Sequence, residues 1–305
     1  MKSSVPLRGA ALGVAIAIVG NFMFTTSDAI VKTLSARYSI FQIIAMQVAF
    51  ACIPLFIMLR RERTLAHLQI RHPVLVFLRG SMAGLGTIFG FYAFSVLPLA
   101  DVYSIAFCAP LVVTLASIPI LGEQVGIRRF AAVIVGFLGV LVMVRPGSVE
   151  LSLGHLAAFC SVFTSATVVL IMRRIGREED RGVMVSAVML GLLAVSVPPV
   201  LFVGQVPLWQ DVGFVACSGL IMGSAQFVNL EALRRAPVAS VAPMQYTMLV
   251  WALIYGVVIF GDPVRINVLF GAAIVIACSL YIMHREQVRA RMRAEATAVA
   301  SPPVT

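Results

Sequence analysis

Four polar residues in one apolar stretch, Asn21, Thr25, Asp28 and Lys32, follow one another at spacings of four, three and four. That spacing places all four on one stripe of an α-helix. Ionisable groups inside an apolar helix are costly in lipid, so they face a bundle interior or a water-filled cavity. On such a stripe Asp28 is a site for a cationic group or a proton. The competing reading is a local Asp28–Lys32 pair, one turn apart, with Lys32 reaching toward the membrane surface. Both readings stand at this level, and they can hold together.

Further candidates lie on other apolar stretches. Tyr103, Phe107, Pro110, Thr114 and Ser117 share a face. Tyr103 and Phe107 suit stacking on a flat ring or hydrogen bonding to cargo, whereas Thr114 and Ser117 read as packing and Pro110 and Pro119 as helix shaping. Tyr92 follows Gly84 and Ile88 on one face and is placed toward the same cavity. Gln226 and Asn229, three apart, read as a buried amide pair that either contacts substrate or bonds between helices. Gln245 and Tyr246 sit halfway along a stretch where an amide has few bland uses, and Trp251 and Tyr255 follow on one face. Asn21, Thr25, Asp28, Tyr92, Tyr103, Phe107, Gln226, Asn229, Gln245, Tyr246 and Trp251 are therefore the candidate substrate contacts. Lys32, Arg79, Glu123 and Asp262 are read as gating or structural. Glu231, beside Arg234 and Arg235, reads as a surface ion pair, and His155 as an interfacial histidine without a special role.

Other chemistries find no residues to carry them. The run from Gly84 to Gly90 has one residue too many for a dinucleotide loop and no preceding strand. Gly80xxxGly84, Gly86xxxGly90 and Gly219xxxGly223 read instead as close helix contacts. No HExxH, GxSxG or facing carboxylate pair is present, so neither a catalytic residue nor a metal site nor a cofactor is expected. The five cysteines (Cys52, Cys108, Cys160, Cys217 and Cys278) fall in five different apolar stretches without a CxxC partner. They read as small packing residues.

The elements that must position these groups follow from composition. The 305 residues are 60% hydrophobic and 12% charged, with a mean hydropathy of +1.00. Soluble domains carry roughly 45–50% apolar and about 25% charged residues, so lipid is the solvent. Ten stretches approach the ~20 residues that cross a bilayer: about 10–33, 40–59, 74–97, 99–121, 127–145, 151–173, 183–203, 212–233, 238–260 and 264–284. They are too long, and alternate too little, for barrel strands. The first stretch carries Asn21, Asp28 and Lys32 and does not read as a cleaved signal.

The net charge of +10 then resolves into topology. With the N-terminus inside, eighteen of the 23 Lys and Arg residues fall on cytoplasmic segments, and only Arg37, Arg145 and Arg265 fall outside. This predicts both termini in the cytoplasm, and it disfavours a nucleic-acid partner, because the charge is spread over six segments. Residues 285–293 are expected to continue the last helix along the anionic leaflet, with a disordered tail from about 293.

The chain also repeats itself. A shift of 139 residues lays Pro98-Leu99-Ala100 on Pro237-Val238-Ala239, Gly122-Glu123 on Gly261-Asp262, and Gly80 and Gly84 on Gly219 and Gly223. Each half holds five spans, an odd number, so the second copy enters the membrane in the opposite sense. Inverted repeats of this kind recur in secondary transporters, with the substrate near the midplane at the repeat interface. The expected fold is an all-α polytopic membrane protein of ten transmembrane helices in a 5+5 inverted-topology repeat. Its parts are a cytoplasmic segment (1–9), two five-helix units (10–147 and 148–284) and a basic cytoplasmic tail (285–305).

The Leu97-Pro98-x-Ala100-Asp101 turn, the Gly122-Glu123 that ends the fourth stretch and Arg145-Pro146-Gly147 after the fifth resemble the first-repeat signature of the EamA-type drug/metabolite transporters. Residues 234–262 resemble the second-repeat counterpart, with Gly261-Asp262 in place of Gly-Glu. The resemblance covers roughly residues 10–285 and implies a bacterial inner-membrane carrier working by alternating access. Arg79-Gly80 and Ala242-Pro243-x-Gln245-Tyr246-Thr247 are most similar to a subgroup that includes riboflavin and S-adenosylmethionine uptake carriers. Other members export amino acids or metallophores. The implied function is non-ATP transport of a small polar or amphipathic metabolite, with export as the alternative and a channel or membrane enzyme disfavoured. The implied partners are a small-molecule substrate and the lipid bilayer, with proton coupling or exchange, as a monomer or homodimer.

Overall fold

The computed structural model describes residues 7–61, 69–122, 126–144, 152–176, 178–236 and 238–300. Every regular element among them is helical, because a helix satisfies its backbone polar groups internally where no water can. In chain order these are α1 (Leu7–Leu34), α2 (Ile40–Arg61), α3 (Pro73–Val96), α4 (Leu99–Ala106), α5 (Ala109–Leu121), α6 (Ile127–Val144), α7 (Leu153–Ile175), α8 (Arg181–Val203), α9 (Trp209–Arg235), α10 (Val238–Val241), α11 (Thr247–Tyr255) and α12 (Ile266–Ala300). Among the described residues, nine helical stretches are long and apolar enough to cross a bilayer, and Phe130–Met143 of α6 is a shorter apolar helix.

Two expected spans are not continuous helices. The fourth breaks at Phe107–Cys108, where α4 ends and α5 begins with Pro110 in its first turn. A proline there has no N–H to donate, and the chain restarts its hydrogen-bond ladder. The ninth is α10, a 3-10 turn over Ala242–Tyr246, α11, and a wide π turn over Gly256–Phe260. Adding 139 to Phe107 gives Tyr246, so the two interruptions fall at matching places. The helix ends match too: Gly122 (φ 67°) and Gly261 (φ 66°) are left-handed caps that end α5 and the π turn. The last helix differs from expectation. It runs unbroken to Ala300, so the chain from 293 to 300 is helical.

The helices pair in couples that the 139-residue offset interchanges: α1 on α9 with α3 on α7, α2 on α9 with α3 on α8, and α5 on α7 with α1 on α11. α6 packs on α12. Small residues set the closest approaches. A side chain at Gly80 or Gly84 would strike the α8 backbone at Ala187 and Gly191, and one at Gly219 or Gly223 would strike α2 at Gln47 and Ala51. Gly86 meets Thr164 of α7, but Gly90 faces open space, so that third glycine pair is not a contact motif.

Buried polar groups tie these faces. Gln47 donates to Ser27 (2.9 Å) and Ser218 (2.7 Å), whose hydroxyls lie 2.9 Å apart, joining α1, α2 and α9. At one end of the bundle Tyr38 donates to Asp211 at 2.7 Å, and Arg37 pairs with the same carboxylate at 3.4 Å. At the other end Glu179 accepts the backbone N–H groups of Arg71 (2.8 Å) and His72 (2.5 Å) ahead of α3.

Candidate functional site

The two helix interruptions meet in the bundle. Phe107 and Tyr246, both buried, pack edge to face with ring centroids 4.9 Å apart. Beside them lies a cavity of about 440 Å³, whose lining includes Phe107, Thr114, Arg173, Gln245, Tyr246 and Ser279. The Ser279 hydroxyl donates to the Phe107 carbonyl at 3.5 Å. The walls are otherwise mostly apolar, and Arg173, close to the end of α7, is the charged residue among those lining it.

Behind Phe107 an aromatic path leads deeper. Phe107 lies 6.3 Å from Tyr103, and Tyr103 lies 5.5 Å from Phe94. The Tyr103 hydroxyl donates to the Asp28 carboxylate. Thr25, fully buried, bonds to the Asn21 carbonyl at 3.0 Å. Asn21 donates to the Met244 carbonyl at 2.6 Å. That carbonyl lies in the 3-10 turn and also accepts from the Thr247 hydroxyl at 2.7 Å. Asn21 thus supports the helix break from behind.

Lys32 does not pair with Asp28. Its ammonium donates to the Leu97 carbonyl at 2.7 Å, pairs with Asp262 at 3.4 Å and lies 4.9 Å from the Phe260 ring centroid. Alongside, Arg265 pairs with Asp101 at 3.7 Å. These two bridges tie α1 and α4 to the segment between the π turn and α12. The space left between the walls there is about 10 Å³. Asp262 therefore meets Lys32, and Glu123 lies outside the described residues.

Several candidates stand away from the cavity. Trp251 packs edge to face on Phe22 at 5.0 Å, and the Tyr255 and Thr26 hydroxyls lie 2.6 Å apart, so this face of α11 is spent on α1. Tyr92 is half-buried against the main core. Gln226 is exposed, and Asn229, half-buried, packs against Gly20. They form no buried amide pair, because α9 turns them toward different surroundings. The Arg79 guanidinium donates to the Met184 carbonyl and pins α3 to α8. Glu231 pairs with Arg235 at 2.5 Å and with Arg234 at 3.9 Å. His155 caps α7 reciprocally with Ser152.

Sequence reasoning missed three cavity residues. Thr114 was assigned to packing, Arg173 was counted only as a topological charge, and Ser279 is a lone hydroxyl in an apolar run. The stripe of Thr114 with Phe107 and Pro110 was the one usable signal.

Comparison with known proteins now bears on the site. The EamA-like transporter family matches residues 11–145 and again 152–283. An S-adenosylmethionine uptake transporter of Rickettsia bellii is 22% identical over 283 residues, covering 92% of this chain and 96% of its own. A pseudopaline exporter of Pseudomonas aeruginosa is 26% identical over 273 residues, covering 87% and 94%. A solved crystal structure with 19% identity superposes with a TM-score of 0.60 over 88% of this chain and 96% of its own, which shows a shared fold. With two matches that together span most of its length, and with relatives that are named as transporters, the chain belongs to the EamA-like transporter family and is a multi-pass membrane transporter rather than an enzyme.

Proposed function

We propose that this transporter is a secondary carrier that takes up S-adenosylmethionine or a chemically similar metabolite across the bacterial inner membrane. It works by alternating access of two inverted five-helix repeats, with both termini in the cytoplasm. The observation that carries this reading is the cavity beside two helix interruptions, closed at the far end by paired charges. Discontinuous helices at the midplane free backbone groups for cargo, and repeats of opposite orientation can exchange an inward for an outward opening. The basic-residue bias puts Arg173 on the cytoplasmic side and Lys32, Asp101, Asp262 and Arg265 outside. The geometry is then that of an inward-open carrier. The interchange of helix couples and the matching breaks at Phe107 and Tyr246 support the repeat. The uptake relatives support the substrate class, and Phe107, Tyr246 and Gln245 suit a ring with polar edges.

Purified protein in liposomes provides the test. Labelled S-adenosylmethionine should accumulate saturably and faster when the liposomes are preloaded with unlabelled compound. A flavin and neutral amino acids serve as comparison probes. Uptake that is unsaturable, or absent for S-adenosylmethionine and present for a comparison probe, refutes the substrate. The pseudopaline exporter relative favours one second reading, export, in which accumulation occurs only in inverted membranes. A pH step across the membrane separates proton coupling from exchange.

A further inference from the structure

We propose that the moving units of this transporter are two three-helix bodies, α1–α2–α9 and α3–α7–α8, each built from both repeats and hinged where α2 and α8 lead into pinned crossovers. This rests on the alternating-access reading. α9 packs on α1 and α2, and α3 packs on α7 and α8. The 139-residue offset turns one set into the other. The chain passes directly between the bodies at two places, from α2 to α3 and from α8 to α9. Both crossovers are fastened. Ahead of α9, Gln42 of α2 donates to the Gln205 carbonyl at 2.7 Å and accepts from the Gln205 N–H at 2.9 Å. The Tyr38 hydroxyl accepts from the Leu208 N–H at 3.0 Å and donates to Asp211 at 2.7 Å. Gln42, Tyr38 and Asp211 are all buried. Ahead of α3, Glu179 of the α7–α8 turn accepts from the Arg71 and His72 N–H groups, and Asp180 accepts from the Gln69 N–H at 3.3 Å. The turn after the first helix of each repeat thus grips the segment leading into the third span of the other. Undoing either clasp would leave a buried carboxylate short of donors, which is costly, so both clasps persist through the cycle. Each crossover is held by the body that it enters, and bending is left to the helix that it leaves. Those two helices carry internal prolines, Pro54 in α2 and Pro198 and Pro199 in α8. A proline removes a backbone donor and crowds the preceding turn, so bends concentrate there.

Spin-label distances test which units stay rigid. The full-length protein, with its native cysteines replaced, carries pairs of labels in nanodiscs. The sites are Ala49→Cys on α2, Phe77→Cys on α3, Leu190→Cys on α8 and Phe214→Cys on α9, all exposed. Each pair is compared with and without Lys32→Gln, which removes the bridge to Asp262. The α2–α9 and α3–α8 pairs cross the repeats but stay within a body, and their distances should not change. The α2–α3 and α8–α9 pairs stay within a repeat but cross the bodies, and their distances should shift by several ångströms. Pro198→Ala with Pro199→Ala should shrink the α8–α9 shift, and an undiminished shift would overturn the hinge in α8. The reverse pattern, with rigid repeats and changing bodies, overturns the inference. Four unchanged distances overturn it too. A raised labelling rate at Leu253→Cys by an impermeant maleimide would then leave alternating access standing, and an unchanged rate would remove both.

Discussion

Replacing Lys32 with glutamine should open the face of the bundle that is now closed. In the closed arrangement the Lys32 side chain is 13% exposed and Asp262 23% exposed, 3.4 Å apart, so solvent screens the pair only in part. The ammonium also donates to the Leu97 carbonyl at 2.7 Å and lies 4.9 Å from the Phe260 ring centroid. A charged hydrogen bond of this kind contributes about 1.5–3 kcal/mol. The ion pair adds about 0.5–1 kcal/mol and the ring contact a similar amount. Glutamine keeps a neutral donor of shorter reach, and breaking the pair rehydrates Asp262, so about 2 kcal/mol is lost on balance. These contacts bridge parts that must separate when this end opens. Their loss therefore shifts the equilibrium toward the open form by about 30-fold. Leu253 lines the small space beside the bridges. With the five native cysteines replaced, Leu253→Cys gives a thiol for an impermeant maleimide. Its labelling rate should rise about 30-fold in Lys32→Gln, with a smaller rise in Asp262→Asn. In a folded protein, a rate that is unchanged or lower would show that the bridges do not hold this end shut.

Three further outcomes follow from packing and polarity. Gly191→Ala places a methyl on the Gly80 backbone and should lower stability by about 1–3 kcal/mol, read by thermal unfolding in detergent, whereas Gly90→Ala, which faces open space, should not destabilise. Gln47→Ala removes the donor shared by Ser27 and Ser218 and should cost about 1–3 kcal/mol, read by the same assay; a variant as stable as wild type would mean that the two hydroxyls satisfy each other. Asp28→Asn can still accept from Tyr103 but carries neither charge nor exchangeable acid proton, so it should flatten the pH profile of transport while the protein remains folded. An unchanged profile would return Asp28 to a structural role.

What the sequence made legible was whatever is encoded locally or repeated. Apolar runs fix spans because each pays its backbone hydrogen bonds within itself. The 139-residue offset anticipated Gly122 and Gly261, whose positive φ a glycine adopts without strain, and the opposed contacts of Gly80 and Gly219. Spacing misled where the partner lies far along the chain. Lys32 sits one turn from Asp28, the natural local partner, yet its carboxylate is Asp262, 230 residues later. Asn21 looked like a cavity residue because an amide in lipid must find a partner. It finds one in the carbonyl of Met244, which lies in the 3-10 turn of the ninth span, 223 residues later.

That break explains why the site was only half visible. A proline in a span marks where a helix can restart, but not what will face the freed groups. Pro110 is such a mark in the fourth stretch and Pro243 in the ninth. Both interruptions are needed before Phe107 and Tyr246 can touch, and both must lie near the end of α7 before Arg173 becomes part of a cavity. Counted along the chain, Arg173 is one of the eighteen basic residues from which a topology is expected. Placed among Phe107, Gln245 and Ser279, it is the charged member of an otherwise neutral lining.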